Sequence, residues 1–171
     1  MIFSELKFKL AGRYFRPETE VPELTVGPEE VKNITVVLDS RDADLCNKFL
    51  ELGAINGLSE TDFSIITCEK SRNEGPEGLN FSIADVSWTG KIRKQQLRDF
   101  FGRRHNIIIS FSRNNGRDLE FLIRNSKADL KIGRVENAAG IYDLEIFSRY
   151  EEADVFIQEV EKYLRILKYK S

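Results

Sequence analysis

Two short stretches carry the side chains best suited to chemistry. Asp39-Ser40-Arg41-Asp42 follows an apolar run, and Ser112-Arg113-Asn114-Asn115-Gly116 follows another. Each places carboxylates, hydroxyls, amides or a flexible glycine where a strand gives way to a helix. In an open parallel sheet, ligands sit beyond the carboxyl ends of the strands, near a switch in strand order. Asp39, Ser40, Ser112, Asn114, Asn115 and Gly116 are therefore the candidate ligand-binding crevice. The free N–H groups of a helix beginning near Asn115 would suit an anion. The plainer reading is structural: Asn114 and Gly116 make the turn, and Ser112 or Asn115 caps the helix.

Asp39 is also a candidate phosphoacceptor or metal ligand. The run D-S-R-D-A-D, however, puts its second acid at the wrong spacing for a D-x-D phosphotransfer motif. Asp42 and Asp44 are instead expected to complement the dipole of the first helix. Neither G-x-G-x-x-G nor G-x-x-x-x-G-K-[ST] occurs, so the usual dinucleotide and P-loop signatures are missing. Trp88-Thr89-Gly90-Lys91 is a secondary candidate: Trp88 could cover a ligand and Lys91 meet a phosphate, although a core aromatic beside a helix cap is preferred. Arg134, at the end of a later strand, is a further secondary candidate. The lone His105 lies at the end opposite the crevice and reads as a loop or surface histidine. No catalytic residue, metal site or cofactor is assigned.

These turns need a scaffold. NITVVLDS (33–40), DFSIITCEK (62–70) and NIIISF (106–111) read as strands buried on both faces, and DLKIGRV (129–135) and GIYDLEIF (140–147) as further strands. LNFSIAD (79–85) is a weaker extended segment, and 71–78 a loop. Helices are expected over 41–53, with Ser40 as cap and Gly53 as stop, and over 89–102 and 115–128. Ser148 and Glu151 suggest a capping box for a last helix reaching about Lys168, with Val155, Phe156, Val160, Tyr163, Leu164 and Leu167 on one face. The alternation predicts an α/β, three-layer, mostly parallel sheet with helices on both faces, Rossmann-like, in a single domain. Strands 33–38, 63–68 and 106–111 should be parallel neighbours, the first of them central. Residues 1–32 form an N-terminal appendage and connector, and 33–171 the α/β domain.

Bulk properties narrow the function by exclusion. The chain has 171 residues and a net charge of −2, which argues against a dedicated nucleic-acid binder. Hydrophobic residues make up 41 % and charged residues 32 %, a globular balance. Cys46 and Cys68 lie far apart and in no CxxC pattern, so neither a disulfide framework nor a cysteine zinc site is expected. Free thiols, with no recognisable signal peptide, suggest the cytoplasm. No apolar run approaches the roughly 20 residues of a membrane span. Both termini are basic and interleaved with apolar residues: Lys7, Lys9, Arg13 and Arg16 at one end, Lys162, Arg165, Lys168 and Lys170 at the other. That pattern suits a membrane surface or an acidic partner; the preferred reading docks the apolar residues on the sheet and leaves the cations in water. Phe3, Leu6, Phe8 and Leu10 would then cover apolar surface in the same molecule or in a second copy, making a homodimer.

The run Asn33–Phe147 resembles an uncharacterised bacterial domain-of-unknown-function family of small α/β proteins. It carries DVSWTGKIRKQQLRDFF, and Ser126, Lys127, Ala128, Ile132, Gly133 and Arg134 match that family's Ser-Lys-Ala-x-x-x-x-Gly element. Ser110-Phe111-Ser112 departs from its usual central strand. The resemblance implies a fold and no mechanism. NIIISFSRNNG and KADLKIGR also resemble, remotely, the N-terminal lobe of heptosyltransferase-like glycosyltransferases. That likeness implies a single lobe with serine in place of the usual acid, which favours binding over catalysis. The expected function is a non-enzymatic cytoplasmic binding or interaction protein. The alternatives are a small enzyme or binding protein for a phosphorylated or sugar-like ligand at the crevice, and a peripheral membrane adaptor.

Overall fold

The computed structural model describes residues 31–59, 61–68, 79–113, 116–134 and 140–169. The expectations for 1–30 and for the loop 71–78 lie outside the described residues, as do Asn114, Asn115 and the side chain of Leu167.

Among the described residues, six strands form one parallel sheet in the order β3-β2-β1-β4-β5-β6. They are β1 (Ile34–Asp39), β2 (Phe63–Cys68), β3 (Leu79–Phe81), β4 (Arg104–Phe111), β5 (Lys127–Arg134) and β6 (Leu144–Ile146). The doubly wound expectation holds, with β1 flanked by β2 and β4. Every residue of β1 is buried, which explains its unbroken apolar and β-branched run: a central parallel strand has no solvent face.

Among the described residues, two helices cover each face. On one side, α1 (Cys46–Ile55) and α4 (Ala153–Tyr169) pack Phe49, Leu52, Phe156, Val160 and Leu164 onto Ile34, Val36, Leu38, Ile107, Ile109 and Phe111. On the other, α2 (Gln95–Gly102) and α3 (Arg117–Asn125) bring Leu97, Phe100, Phe101, Leu119, Phe121 and Leu122 against Val37, Ile66, Phe81 and Ile108. Each such side chain contributes about 1.5–3 kcal/mol by leaving water.

Several boundaries differ from expectation. Ser40 does not cap an α-helix. Ser40–Leu45 is a 3-10 segment, and α1 starts at Cys46 with Leu45 as an N-cap that makes no side-chain bond. Gly53 does not end α1: it is buried, and a Cβ there would lie 2.7 Å from the Phe63 ring. The left-handed residue after α1 is Gly57, at φ 71°. The helix expected over 89–102 starts only at Gln95, because Ile92 pairs with Val86 in an isolated antiparallel bridge. The Ser148/Glu151 capping box is replaced: Arg149 N–H donates to Glu152 Oε2 (3.2 Å), and α4 begins at Ala153. Val155 and Tyr163 are exposed, so the buried stripe of α4 is narrower than expected.

His105 is not a loop or surface residue. It lies within β4, fully buried, with its ring 4.6 Å from that of Phe100. Its Nε2–H donates to the Phe100 carbonyl (3.1 Å), which leaves Nδ1 to accept from Thr35 Oγ1 (3.0 Å). Thr35 Oγ1 is 2.9 Å from Ser64 Oγ, which in turn accepts from Arg103 Nη2 (3.1 Å). Burial lowers the His105 pKa to about 4. Alternation along the sequence could not reveal a histidine whose partners come from two other elements, β1 and α2.

Candidate functional site

Strand order reverses between β1 and β4. The chain leaving β1 turns to α1 on one face, and the chain leaving β4 turns to α3 on the other. This divergence creates a crevice at the carboxyl ends, where ligands bind in open α/β sheets. The first turn singled out from the sequence lies there, as do Ser112, Arg113 and Gly116 of the second.

Asp39 is the last residue of β1 and is held by its neighbour. Its Oδ1 accepts from the backbone N–H and Nε of Arg41 (3.1 and 2.9 Å), and its Oδ2 from Nη2 (2.8 Å). This two-pronged, charge-assisted bond raises the Arg41 pKa and engages both oxygens of the Asp39 carboxylate. Ser40 opens the 3-10 segment that follows.

Asp42 does not simply face a helix dipole. Only 2 % exposed, it accepts through Oδ1 from the Tyr150 hydroxyl, which arrives from the chain just ahead of α4. Burial pushes the Asp42 carboxyl up, and the bond to Asp42 pushes the Tyr150 phenol up to about 12. Among the described residues, Asp42 Oδ2 has no hydrogen-bond partner, and neither do the buried hydroxyls of Ser110 and Ser148.

Tyr150 anchors a corner of aromatic and cationic groups. Its ring stacks on that of Phe111, with centroids 5.7 Å apart. The Arg134 guanidinium, 1 % exposed, lies 5.6 Å from the Phe111 ring and 5.7 Å from the Tyr150 ring. Its Nη1 donates to the Ser112 carbonyl (3.3 Å). Arg113 lies 4.5 Å over Tyr150 and 3.6 Å from Glu151. Cation–π contacts are worth about 0.5–1 kcal/mol when exposed and about 2 when desolvated, so Arg134 is the more firmly held of the two.

The structure thus brings Asp39, Ser40, Ser112 and Arg134 to one end of the sheet. Gly116 is there as the N-cap position of α3, with no side-chain capping bond. The first turn of α3 contains Asp118 and Glu120, which disfavours the anion proposed from the sequence. Trp88 and Lys91 do not join this group. They follow β3, an edge strand two places from β1. Lys91 N–H donates to Ser87 Oγ (3.0 Å) in a small turn, and Trp88 is 50 % exposed, so the core-aromatic reading of Trp88 is overturned. Sequence reasoning missed Tyr150: nothing local signals that it meets Asp42, 108 residues away.

Among the described residues, no group of His, Cys, Asp and Glu side chains could hold a metal ion, and no helix is long and apolar enough to cross a membrane. No curated protein and no solved structure matches the chain. A family description does match, and over far more than the Asn33–Phe147 span that carried the resemblance. From residue 7 to residue 167 the sequence fits the family of unknown function DUF6913, and the chain belongs to that family.

Proposed function

We propose that the chain is a non-enzymatic binding protein that takes a small ligand at the carboxyl ends of β1 and β4. One observation carries this reading: the guanidinium of Arg134 is desolvated on two aromatic rings at the switch point of the sheet. Burying a charge is costly, and hydrophobic residues would usually serve stability as well. The rim of a doubly wound sheet is where such a cost fits a recognition role. Binding is favoured over catalysis because Asp39, the best-placed nucleophile or base, is occupied by Arg41 through both oxygens. A cytoplasmic setting belongs to the same reading, since both cysteines are free thiols.

Thermal-shift titration of the full chain against monosaccharides, sugar phosphates and nucleotides tests it. A ligand at about 100 times its Kd should stabilise the fold by about 2.7 kcal/mol. The stabilisation should be lost in Arg134→Gln and altered in Arg113→Ala, whose exposed side chain does not threaten folding. Turnover of the ligand, abolished by Asp39→Asn, would defeat the non-enzymatic reading.

A further inference from the structure

The Tyr150 corner holds a buried acceptor that the protein leaves unused. Asp42 is anchored through Oδ1 by the Tyr150 hydroxyl, while Oδ2 has no partner at 2 % exposure. Two residues before Tyr150, the Ser148 hydroxyl is 5 % exposed and also has no partner. Buried polar atoms are nearly always bonded, so orphans of this kind call for an explanation, such as an occupant that supplies the missing bonds. The complement of a carboxylate oxygen is an O–H or N–H donor; the complement of a serine hydroxyl is a group that both donates and accepts. A molecule carrying several hydroxyls meets both needs.

The surroundings decide the ligand's charge. Beside the corner Arg113 is paired with Glu151, and on the other face of the sheet Glu120 is paired with Arg124. An added anion would compete with Glu151 for Arg113, and an added cation would compete with Arg113 for Glu151. A neutral ligand avoids both conflicts.

Arg113 supplies access. Its side chain is 58 % exposed, and its partner Glu151 is 72 % exposed at 3.6 Å. An ion pair so open to water holds weakly. Swinging Arg113 outward uncovers the Tyr150 face that it now overlies at 4.5 Å. That face is an apolar platform for the C–H groups of a saturated ring.

From this arrangement we infer that the corner binds a neutral polyol, of the sugar or cyclitol class, whose hydroxyls are read by Asp42 and Ser148 beneath an Arg113 roof. The inference rests on the proposed binding role of the crevice and names its ligand class.

The test uses the full chain, with myo-inositol and glucose as polyol probes and sulfate as an anion probe. Binding is followed by calorimetry, and crystals are soaked with each probe. At least one polyol should bind, with a hydroxyl on Asp42 Oδ2. Ser148→Ala and Asp42→Asn should each weaken that binding about tenfold or more, the loss of a good hydrogen bond. Ser148→Ala should at the same time raise Tm, because it deletes an unpartnered buried hydroxyl; a merely structural serine would not couple the two changes. Arg113→Ala should bind at least as tightly as the parent chain. Sulfate binding without polyol binding would overturn the polyol assignment and leave the crevice reading standing. Polyol binding unchanged in both Ser148→Ala and Asp42→Asn would place the site elsewhere and overturn the inference. Ordered water alone on Asp42 Oδ2, with no probe bound, would overturn the inference and leave the crevice reading to its own titration.

Discussion

At the amino ends of the strands, Arg103, Ser64, Thr35 and His105 form an unbroken series of donors and acceptors that ends on the Phe100 carbonyl. Beside it, Asn106 N–H donates to Asn33 Oδ1, and Asn106 Oδ1 accepts from the N–H of Asn33 (2.9 and 3.1 Å). At the carboxyl ends, Asp42, Ser110 and Ser148 each keep a buried oxygen without a partner. One end is satisfied internally; the other is not. Fully bonded polar networks fix a structure, and incomplete ones cost stability that function can justify. The contrast separates the two ends by how completely their buried polar side chains are bonded.

The largest test breaks the satisfied end. His105→Ala should lower stability by about 3 kcal/mol, combining a cavity with orphaned partners at Thr35 and Phe100. Urea unfolding measures it, and a loss below about 1 kcal/mol would mean that the series does not hold this end together.

Acid should produce an effect of similar size through the same residue. The folded-state pKa of His105, about 4, lies below the ordinary value of about 6.5. The unfolded chain therefore binds the proton first. The contribution of His105 is complete above pH 6.5 and is lost as pH falls towards 4, to the extent of about 3 kcal/mol. Subtracting the pH profile of His105→Asn isolates this window. An imidazole titrating near 6.5 in the native protein's NMR spectrum would refute it.

Smaller effects belong to the carboxyl ends. Asp39→Asn should cost about 1 kcal/mol or less, because Arg41, its partner, is more than half exposed. Ser110→Ala should leave stability unchanged or raise it by about 0.5 kcal/mol, since it deletes an unpartnered hydroxyl. A loss above about 1 kcal/mol would show that Ser110 is bonded after all and would weaken the contrast.

Much of the scaffold was legible in the sequence. Ile34–Asp39 and the adjoining strands announce themselves by continuous β-branched burial, which only a central parallel position explains. The switch in strand order followed from the alternation of strands and helices, so the placement of Asp39 and Ser112 at one end of the sheet was legible without any motif. Helix starts were less legible. Apolar residues such as Ile92 fit a helical stripe but serve a β-bridge, and the two patterns coincide over a few residues. The polar partnerships were not legible at all. Nothing near His105 points to Thr35, 70 residues away, and nothing near Asp42 points to Tyr150. Local pattern encodes which face a residue takes; it does not encode which distant side chain waits on that face.

The strand order also shapes how the molecule assembles. Thr35 and Ser64 are 29 residues apart, and Asn106 and Asp129 are 23 apart, so each half of the sheet closes over a short stretch of chain. The seam between β1 and β4 joins Asn33 to Asn106 across 73 residues. Closing a longer loop costs more entropy, and contacts of high sequence separation slow folding. The seam is thus the slow adjacency of the fold, and it is also the wall shared by both turns of the crevice. Neither half holds both of these turns, so the chain brings the ends of β1 and β4 side by side only when its two halves meet.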